Sequence, residues 1–479
     1  EISLGLVGSE MCIRDSYSAV RIHAIEAEKG QKDMEKTDWK AYLQKEIECS
    51  CGRTHFCDIE EILIEENAIC RLPGILSRHS YKKLCVVCDE HTEKAAGFRV
   101  YEELTKAGYN FSKVLYHEPE LVPDEQALIY LFTQVPQDCD LIIAVGSGTI
   151  NDLCRYVSYK MKIDYYVVGT APSMDGYASN VSPLIIRHLK TTYTARPARV
   201  IIGDLQVLCE APMHMLAAGV GDIIGKYVCL ADWQLAHEIN EEYLCPEVTA
   251  LVRKSIEKVT ENAEAAAKRE KNAVAALMEG LVLSGIAMSY IGNSRPASGS
   301  EHHMSHYWEM MFLLRHQSDP LHGTKVGVAT VAALRLYEIL KEKKNMGLSQ
   351  QVSAFSYKKW AEEIEEAYGP AAPEVLKLEQ EVGKNADNEV LRRRSVWEEK
   401  QEEIGSVLEN LPSAKTVAQI LKSMGAPSSP AEIQVSLETF KKGIYFAKDL
   451  RNRFGLLQIL FDFSLQKTCS EILEEEFYR

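Results

Sequence analysis

Residues Leu141–Asp152 read LIIAVGSGTIND: an apolar run, a turn with two glycines, and the start of a helix. Such an uninterrupted apolar run is typical of a strand buried on both faces of a parallel sheet. Glycines permit a tight turn, and the free N–H groups at a helix start attract phosphate. Asn151 occupies the third glycine position of the dinucleotide fingerprint, so this stretch alone leaves a phosphate cradle and a simple strand–helix turn both open.

Short apolar runs recur on either side of this stretch, separated by segments with helical periodicity. The predicted strands are Leu84–Cys88, Val114–Tyr116, Leu141–Val145, Tyr165–Val168 and Val200–Ile202, with Ile59–Ile64 as an additional candidate. The predicted helices between them are Thr92–Ala107, Asp124–Val135 and Thr149–Met161. This alternation predicts βαβ units, and therefore a Rossmann-like α/β domain over residues 37–210 whose parallel sheet is covered on both faces.

From about residue 211 onward the strand signals disappear, and we expect an all-α domain over residues 211–479. Its long helix-favouring segments include Met213–Glu238, Pro246–Lys268, Ala273–Ile291 and Tyr357–Ala367. The longest apolar stretch is residues 275–292. It is interrupted by Glu279, and only 13 residues lie between Glu279 and Asn293. That is too short for a membrane span, so we expect a buried helix and no stable membrane insertion.

Composition excludes several classes of protein. The chain has 479 residues, 46% of them hydrophobic and 26% charged, and a formal net charge of −15. These values exclude a mainly disordered chain and argue against a general nucleic-acid or anionic-membrane binder. The 13 cysteines, often inside apolar runs, favour free thiols in a reducing cytoplasm over a disulfide framework. Residues 1–18 lack periodicity, and we expect a non-native or disordered leader there.

Polar residues follow several predicted strands at the edge where open α/β sheets bind ligands. The loop Gly169–Ser179 would bring Thr170, Ser173 and Asp175 near a cofactor, although ordinary turn chemistry also explains such loops. Asp89 could accept a ribose hydroxyl, which would favour NAD over NADP, or it could cap the next helix. The candidate cofactor-binding residues at the glycine turn are Gly146, Ser147, Gly148, Thr149 and Asp152.

One carboxylate and several histidines suggest a metal site. Asp222 lies in an apolar helix, where a carboxylate is costly unless it is paired or bound to a metal. The histidine-dense run Ser298–His306 and then His322 follow. One aspartate with two histidines would leave open positions on an ion, as a catalytic metal requires. Scattered histidines are also common as surface or hydrogen-bonded core residues.

The segment Cys49–Cys57 is similar to a zinc knuckle. However, it begins C-x-C where common zinc sites have C-x₂-C, and no second pair lies nearby in the sequence. It therefore predicts a Cys-rich β-hairpin that precedes the nucleotide-binding domain.

Five motifs in order carry a family resemblance. They are GSGTIND (Gly146–Asp152), TAPSMDG (Thr170–Gly176), GVGD (Gly219–Asp222), SRPASGSEH (Ser294–His302) and HG (His322–Gly323). From about Ile47 to the C-terminus the chain resembles the sn-glycerol-1-phosphate dehydrogenases of the iron-containing alcohol dehydrogenase and glycerol dehydrogenase superfamily. The SRPASGSEH run favours this branch over glycerol dehydrogenase. The resemblance implies a Rossmann-like domain, a helical domain and an active site in the cleft between them.

The resemblance also implies site residues. Metal ligands would be Asp222, His302 and His322, holding one divalent ion that is zinc or nickel and less plausibly iron. The Gly146–Gly148 turn would hold the pyrophosphate of NAD or NADP. Thr170 and Ser173 would flank the cofactor, and Asp175 would contact the substrate. His306, four residues after His302, would share its helical face and support the metal or relay a proton.

The implied reaction interconverts dihydroxyacetone phosphate and sn-glycerol 1-phosphate by hydride transfer to a metal-polarised carbonyl. A proton must reach the carbonyl oxygen through water, a substrate hydroxyl or His306, so Asp175 and His306 are the catalytic candidates. Arg295 is the first candidate for the substrate phosphate, with a surface salt bridge as its alternative, and Lys325 is the second. The partners expected are a small phosphorylated triose or polyol and a second copy of the chain in a homodimer.

Three other functions stay open from the sequence. Glycerol dehydrogenase is the nearest of them. A cyclising lyase of the dehydroquinate synthase type would use NAD only transiently and would normally have Glu at the position of Asp222. A nucleotide-binding protein without catalysis would not need the metal-ligand set.

Overall fold

All named strands of the described chain precede residue 205. The computed structural model describes residues 37–186, 189–346 and 354–479, so the predicted leader, residues 1–18, lies outside the described residues. The strands are β1 (Ile47–Glu48), β2 (Thr54–His55), β3 (Glu61–Glu65), β4 (Leu84–Asp89), β5 (Phe111–Tyr116), β6 (Leu141–Gly146), β7 (Asp164–Gly169), β8 (Val181–Ile186), β9 (Leu189–Thr194) and β10 (Val200–Asp204).

Six of these strands form one sheet in the order β3-β10-β7-β6-β4-β5, and every neighbouring pair is parallel. The predicted parallel sheet is therefore confirmed, and the additional candidate strand is its edge strand β3. The register of β6 on β7 runs from Leu141 opposite Asp164 to Gly146 opposite Gly169. The two predicted ligand loops thus leave the sheet side by side.

The sheet is buried on both faces, as its continuous apolar strands predict. Along β4, Cys85 and Val87 join one hydrophobic cluster, while Val86 and Cys88 join the other. All four side chains are fully buried. Burial of each larger side chain contributes about 1.5–3 kcal/mol to folding, so both clusters fix the strand in the middle of the sheet.

The strand order contains a topological switch point between β4 and β6. From β4 the chain passes outward to the edge strand β5, and it then returns to β6 on the other side of β4. The helices that follow these two strands diverge there, which opens a crevice at their carboxyl ends. Asp89 ends β4 and Gly146 ends β6.

After β10 every named element of the described residues is helical, which confirms the expected helical second part. The helices that accompany the sheet are α1 (Leu72–Leu76), α2 (Glu90–Thr92), α3 (Phe98–Lys106), α4 (Glu125–Gln134), α5 (Gly148–Met161) and α6 (Leu205–Glu210). Those that follow are α7 (Met213–Ile224), α8 (Lys226–Asn240), α9 (Pro246–Thr260), α10 (Ala263–Ala267), α11 (Lys271–Ile291), α12 (Ser300–Leu314), α13 (His322–Met346), α14 (Tyr357–Tyr368), α15 (Ala372–Val382), α16 (Asp387–Glu399), α17 (Gln401–Glu409), α18 (Ala414–Ser423), α19 (Leu437–Phe446), α20 (Leu456–Asp462) and α21 (Gln466–Tyr478).

The predicted helix over Met213–Glu238 is interrupted at Gly225, between α7 and α8. Val228 N donates to Gly225 O at 3.0 Å, so the ladder tightens locally to an i→i+3 bond. This break could not be predicted because apolar periodicity continues across it. Two windows, within Met213–Asn240 and Lys271–Ile291, have the length and composition of membrane spans, but 78% of each is buried inside the protein. They are core helices here.

The β8–β9 hairpin was not predicted from the sequence. Its strands pair antiparallel from Val181 opposite Thr194 to Ile186 opposite Leu189. The second strand reads LKTTYT, which has β-branched residues but no apolar face, so it leaves no hydrophobic alternation to detect.

Candidate active site

A close crossing of α7 and α13 brings together two of the predicted metal ligands. A Cβ added to Gly221 of α7 would lie 2.3 Å from the carbonyl oxygen of Gly323. A Cβ added to Gly323 of α13 would lie 1.9 Å from the carbonyl oxygen of Ala218. The two backbones are therefore in direct contact, and only glycine allows it. Asp222 directly follows Gly221, and His322 directly precedes Gly323. The helix crossing therefore sets the separation of Asp222 and His322.

His302, near the start of α12, completes the set. Asp222, His302 and His322 each offer one ligand atom, and the three atoms lie within 4.8 Å of one another. His302 Nε2 is 3.7 Å from Asp222 Oδ1. Asp222 and His302 are buried, while His322 is partly exposed. One carboxylate and two imidazoles at this spacing fit a single divalent ion with open coordination positions.

Glu301 orients His302. The imidazole Nδ1 of His302 donates to Glu301 Oε1 at 2.6 Å, and the same oxygen accepts from Gly299 N at 3.0 Å. Because Nδ1 carries the proton, the lone pair is on Nε2, which faces Asp222. Glu301 lies within the SRPASGSEH motif, but no role was predicted for it. A carboxylate beside a candidate ligand in a buried segment was the signal that could have identified it.

Lys226 pairs with both Asp175, the predicted substrate contact, and Asp222, a predicted metal ligand. No role was predicted for Lys226 from the sequence. Its fully buried Nζ lies 2.8 Å from Asp175 Oδ2 and 2.8 Å from Asp222 Oδ1. Burial lowers the pKa of Lys226, but the two carboxylates more than offset this and hold the pKa above its usual range, so the ammonium stays charged. Its spacing of four residues from Asp222 was the available sequence signal.

Asp175 is held against the metal set by its backbone and its side chain. Its N–H donates to Asp222 Oδ2 at 2.9 Å, and Ser284 Oγ donates to Asp175 Oδ2 at 2.8 Å. The carboxylate is half-buried. The structure therefore brings Asp175 next to Asp222.

His306 lies beside the metal set, as its i+4 spacing predicts. Its ring centroid is 5.8 Å from that of His302 and 5.6 Å from that of His322. Ligand atoms of His306, Glu309 and His322 also lie within 4.8 Å of one another. His303 joins neither set among the described residues; burial lowers its pKa well below the usual range, and nearby Arg453 adds to this.

The two predicted cofactor loops are joined to each other. Ser147 Oγ is 2.6 Å from Ser173 Oγ, and Thr170 N donates to Gly146 O at 3.2 Å. A Cβ on Gly148 would meet Met174 Cγ at 3.6 Å, which is an ordinary van der Waals contact. The backbone N–H groups at the start of α5 are the groups that would bind a pyrophosphate, and this role stays a prediction.

Other predicted cofactor residues already have protein partners. Asp89 caps α2, because its Oδ1 accepts from the N–H groups of His91 and Thr92 at 2.8 Å each. Asp152 pairs with fully buried Arg155 at 2.7 Å. Thr149 lies in the first turn of α5 and is partly exposed. The roles of these residues towards a cofactor stay predictions.

Both predicted phosphate-binding cations are buried and paired. Glu242 binds Arg295 through both carboxylate oxygens, at 2.8 and 3.1 Å. Among the described residues, Arg295 makes no hydrogen bond to Asp175 or to the metal set. Lys325 is fully buried between Asp319 and Glu309. The alternative of a surface salt bridge for Arg295 is wrong, because its salt bridge is internal; the phosphate role stays a prediction for both residues.

The fold has solved counterparts. The crystal structure of glycerol dehydrogenase from Schizosaccharomyces pombe matches 87% of this chain and 91% of its own, with a TM-score of 0.58 and 15% identity. The structure of iron-containing alcohol dehydrogenase from Thermococcus thioreducens matches 88% of this chain and 99% of its own, with a TM-score of 0.57 and 14% identity. A family model described as iron-containing alcohol dehydrogenase matches residues 63–212. The fold is therefore that of the iron-containing alcohol dehydrogenases.

Sequence relatives narrow this class. The protein named glycerol-1-phosphate dehydrogenase, NAD(P)+, of Geobacillus stearothermophilus is 32% identical over 421 residues, which are 86% of this chain and 95% of that protein. The protein of the same name from Pyrococcus furiosus is 32% identical over 282 residues, or 58% of this chain and 79% of its own. The chain belongs to the glycerol-1-phosphate dehydrogenase family.

The position of Glu301 gives a first prediction. Glu301→Gln keeps the shape of the side chain but removes the charge that orients His302, so affinity for a divalent ion should fall by about 10–100-fold. Competition with a metal-binding dye measures this affinity. Glu264→Gln, on an exposed site of α10, is the matched control and should leave it unchanged. Equal affinities of the two variants would refute the orienting role of Glu301.

Proposed function

We propose that this chain is a metal-dependent NAD(P)H oxidoreductase that interconverts dihydroxyacetone phosphate and sn-glycerol 1-phosphate. The main observation behind the proposal is the convergence of Asp222, His302 and His322, with ligand atoms within 4.8 Å of one another. The relatives named glycerol-1-phosphate dehydrogenase, which align over most of the chain, supply the substrate class.

In this proposal Asp222, His302 and His322 hold the divalent ion, and the Gly146–Gly148 turn holds the cofactor pyrophosphate. When bound, the ion polarises the ketone and NAD(P)H supplies the hydride. Thr170 and Ser173 lie at the carboxyl end of β7, beside this turn, and would line the cofactor.

Asp175 positions the substrate in this proposal. Lys226 and Ser284 fix one of its oxygens at 2.8 Å each, so its carboxylate is oriented before any substrate arrives. It would accept a hydrogen bond from a substrate hydroxyl. His306, whose ring is next to those of His302 and His322, would deliver the proton to the product oxygen.

Arg295 and Lys325 are the proposed cations for the substrate phosphate. Nη1 of Arg295 is buried and has no hydrogen-bond partner among the described residues, so Glu242 does not use its N–H groups. Lys325 lies in the first turn of α13, three residues after His322. It already pairs with the carboxylates of Glu309 and Asp319. Arg295 is therefore the stronger of the two.

The proposal extends to the setting of the enzyme. Carboxylate and imidazole ligands suit zinc or nickel better than a soft metal. The free cysteines of the described chain, 12 in number, agree with a reducing compartment, and we propose a cytoplasmic homodimer. We place the boundary between the α/β and helical parts at about residue 210, after the last strand, which ends at Asp204. The proposed active site lies between these two parts.

Metal removal provides the test. When the protein is stripped with a chelator and assayed without oxygen, its rate of dihydroxyacetone phosphate reduction should fall at least about 100-fold, because a Lewis acid lowers the barrier by several kcal/mol. Separate reconstitution with zinc, nickel and iron should restore the rate to different extents. Stereospecific assay should identify the product as sn-glycerol 1-phosphate.

Three outcomes contradict the proposal. A higher kcat/KM for free dihydroxyacetone would indicate a glycerol dehydrogenase. Chemistry without net cofactor turnover would indicate a synthase-type reaction. Turnover that is insensitive to chelation and reconstitution would remove the metal from the mechanism.

A further inference from the structure

We infer that Cys49, Cys51, His55 and Cys245 form a second metal site, a closed tetrahedral zinc centre that ties the amino-terminal hairpin to the helical part. None of these residues belongs to the Asp222 set, and the inference does not depend on the reaction. Zinc is the ion that three thiolates and one imidazole in a tetrahedral arrangement select.

The ligand atoms have the spacing of a zinc tetrahedron. All four lie within 4.8 Å of one another. Cys49 Sγ is 3.6 Å from Cys245 Sγ, and His55 Nε2 is 3.2 Å from Cys245 Sγ and 3.5 Å from Cys51 Sγ. With Zn–S near 2.3 Å and Zn–N near 2.0–2.1 Å, the edges of a regular tetrahedron are about 3.8 Å between sulfurs and about 3.5 Å between sulfur and nitrogen.

A tight hairpin turn supplies three of the ligands. Strands β1 and β2 pair antiparallel, as the sequence predicted for this segment. Between them Cys49 N donates to Arg53 O at 3.2 Å, and Gly52 N donates to Cys49 O at 3.0 Å. Gly52 has φ +79°, the left-handed conformation that glycine favours. The turn therefore points Cys49, Cys51 and His55 towards one place within seven residues of chain.

His55 is prepared as a ligand. Its Nδ1 is 3.1 Å from the carbonyl oxygen of Tyr290, and its ring stacks on the Tyr290 ring with centroids 5.4 Å apart. A carbonyl oxygen only accepts, so Nδ1 carries the proton and the lone pair is on Nε2. This nitrogen faces Cys51 and Cys245. A histidine fixed through its other nitrogen by a backbone carbonyl is the usual arrangement at zinc sites.

The fourth ligand comes from a distant part of the chain. Cys245 is fully buried and directly precedes α9, whose first-turn N–H of Thr249 donates to Cys245 O at 3.0 Å. The positive end of the helix favours a thiolate there. The hydroxyl of Tyr243 lies 3.0 Å from Cys51 Sγ, and the Arg53 guanidinium stacks 3.4 Å from the Tyr243 ring centroid. These groups balance the negative charge of three thiolates around one zinc ion.

A bound metal ion would stabilise this hairpin, which is too small to be stable by itself. Each strand has only two residues, and an isolated two-stranded hairpin is marginal in water. A structural zinc ion contributes folding energy directly. A disulfide between Cys49 and Cys245 is the alternative arrangement. It would not explain why Cys51 and His55 also lie at this point.

Cobalt(II) substitution of the full-length protein, kept under reducing conditions, tests the inference. The Asp222 set contains no sulfur, so charge-transfer absorption from thiolate to cobalt, with intense tetrahedral d–d bands, reports only the cysteine site. We expect wild-type protein to bind about two metal ions per chain and to show these bands. His302→Ala should keep the bands and lose one ion.

Variants separate the site from other thiols. Cys245→Ser should abolish the thiolate–cobalt bands, whereas Cys70→Ser, at an exposed cysteine outside the set, should keep them. His55→Cys conserves four ligands and should retain zinc, which guards against loss of folding as the explanation. Absence of thiolate–cobalt absorption in the wild type overturns the inference. A Cys49–Cys245 disulfide that persists under reducing conditions, detected by mass spectrometry, also overturns it.

Discussion

His302→Ala should remove the divalent ion from the Asp222 set and lower kcat/KM for dihydroxyacetone phosphate by about a thousandfold or more. That factor corresponds to about 4 kcal/mol of transition-state stabilisation, which is within what a Lewis acid contributes. Only Asp222 and His322 would remain as ligands, and Lys226, 2.8 Å from Asp222, would compete for the carboxylate. Elemental analysis and steady-state kinetics measure the two effects together.

The adjacent histidine is the matched control. His303 is buried on the same helix but belongs to none of the three candidate metal-ligand sets of the described residues. His303→Gln should keep the metal at wild-type stoichiometry, with some loss of thermal stability because the substitution changes the packing of a buried side chain. Equal loss of metal in the two variants would mean that the number of histidines in α12, rather than the direction of His302, determines binding.

Gly323→Ala should destabilise the protein by about 3 kcal/mol and weaken both metal binding and activity. The new Cβ would lie 1.9 Å from the carbonyl oxygen of Ala218, a backbone atom that cannot rotate away. Overpacking of this kind typically costs about 1–3 kcal/mol, and more when backbone must move. Because α7 and α13 have to separate, His322 moves relative to Asp222, and a shift of about 1 Å in a catalytic group can lower the rate about 100-fold. Urea unfolding, metal titration and kcat/KM measure these consequences.

A second glycine-to-alanine substitution serves as the control. It distinguishes the effect of the helix crossing from the general effect of replacing glycine within a helix. Gly405 lies in α17, and a Cβ there would meet only Lys344 Nζ at 3.6 Å, an ordinary contact. Since alanine is favoured over glycine within a helix by about 1 kcal/mol, Gly405→Ala should be neutral or stabilising. If Gly323→Ala were equally stable and retained metal affinity, the close contact of the two helices would be refuted.

The fold was largely predictable because its signals are local. Leu141–Val145 is a buried strand by composition alone, and the residues after it had to lie at the carboxyl edge of a parallel sheet. The β8–β9 hairpin and the break at Gly225 left no periodic signal and were missed. For the site, the family resemblance suggested Asp222, His302 and His322 as metal ligands, and the structure places one ligand atom of each within 4.8 Å of the others.

What the sequence could not supply was the partner of each charged group. Arg295 and Lys325 were sensible cations for a phosphate, yet each faces carboxylates that tertiary structure delivers: Glu242 in one case, Asp319 and Glu309 in the other. Cys245 lies 190 residues beyond His55, so the fourth member of that set was invisible to any argument from spacing. Local patterns predict ligand types, but long-range packing decides which of them meet.

Lys226 places a positive charge between Asp175 and Asp222 before any divalent ion is bound. Its positive charge offsets one of the two negative charges of buried Asp222 and partly buried Asp175, which reduces the electrostatic penalty of burying them when the chain first folds. Folding around α7 and α8 can therefore be complete before a divalent ion arrives, and one ion can replace another without unfolding. The ion found in the purified enzyme should then reflect what the cell provides as much as what the ligands prefer.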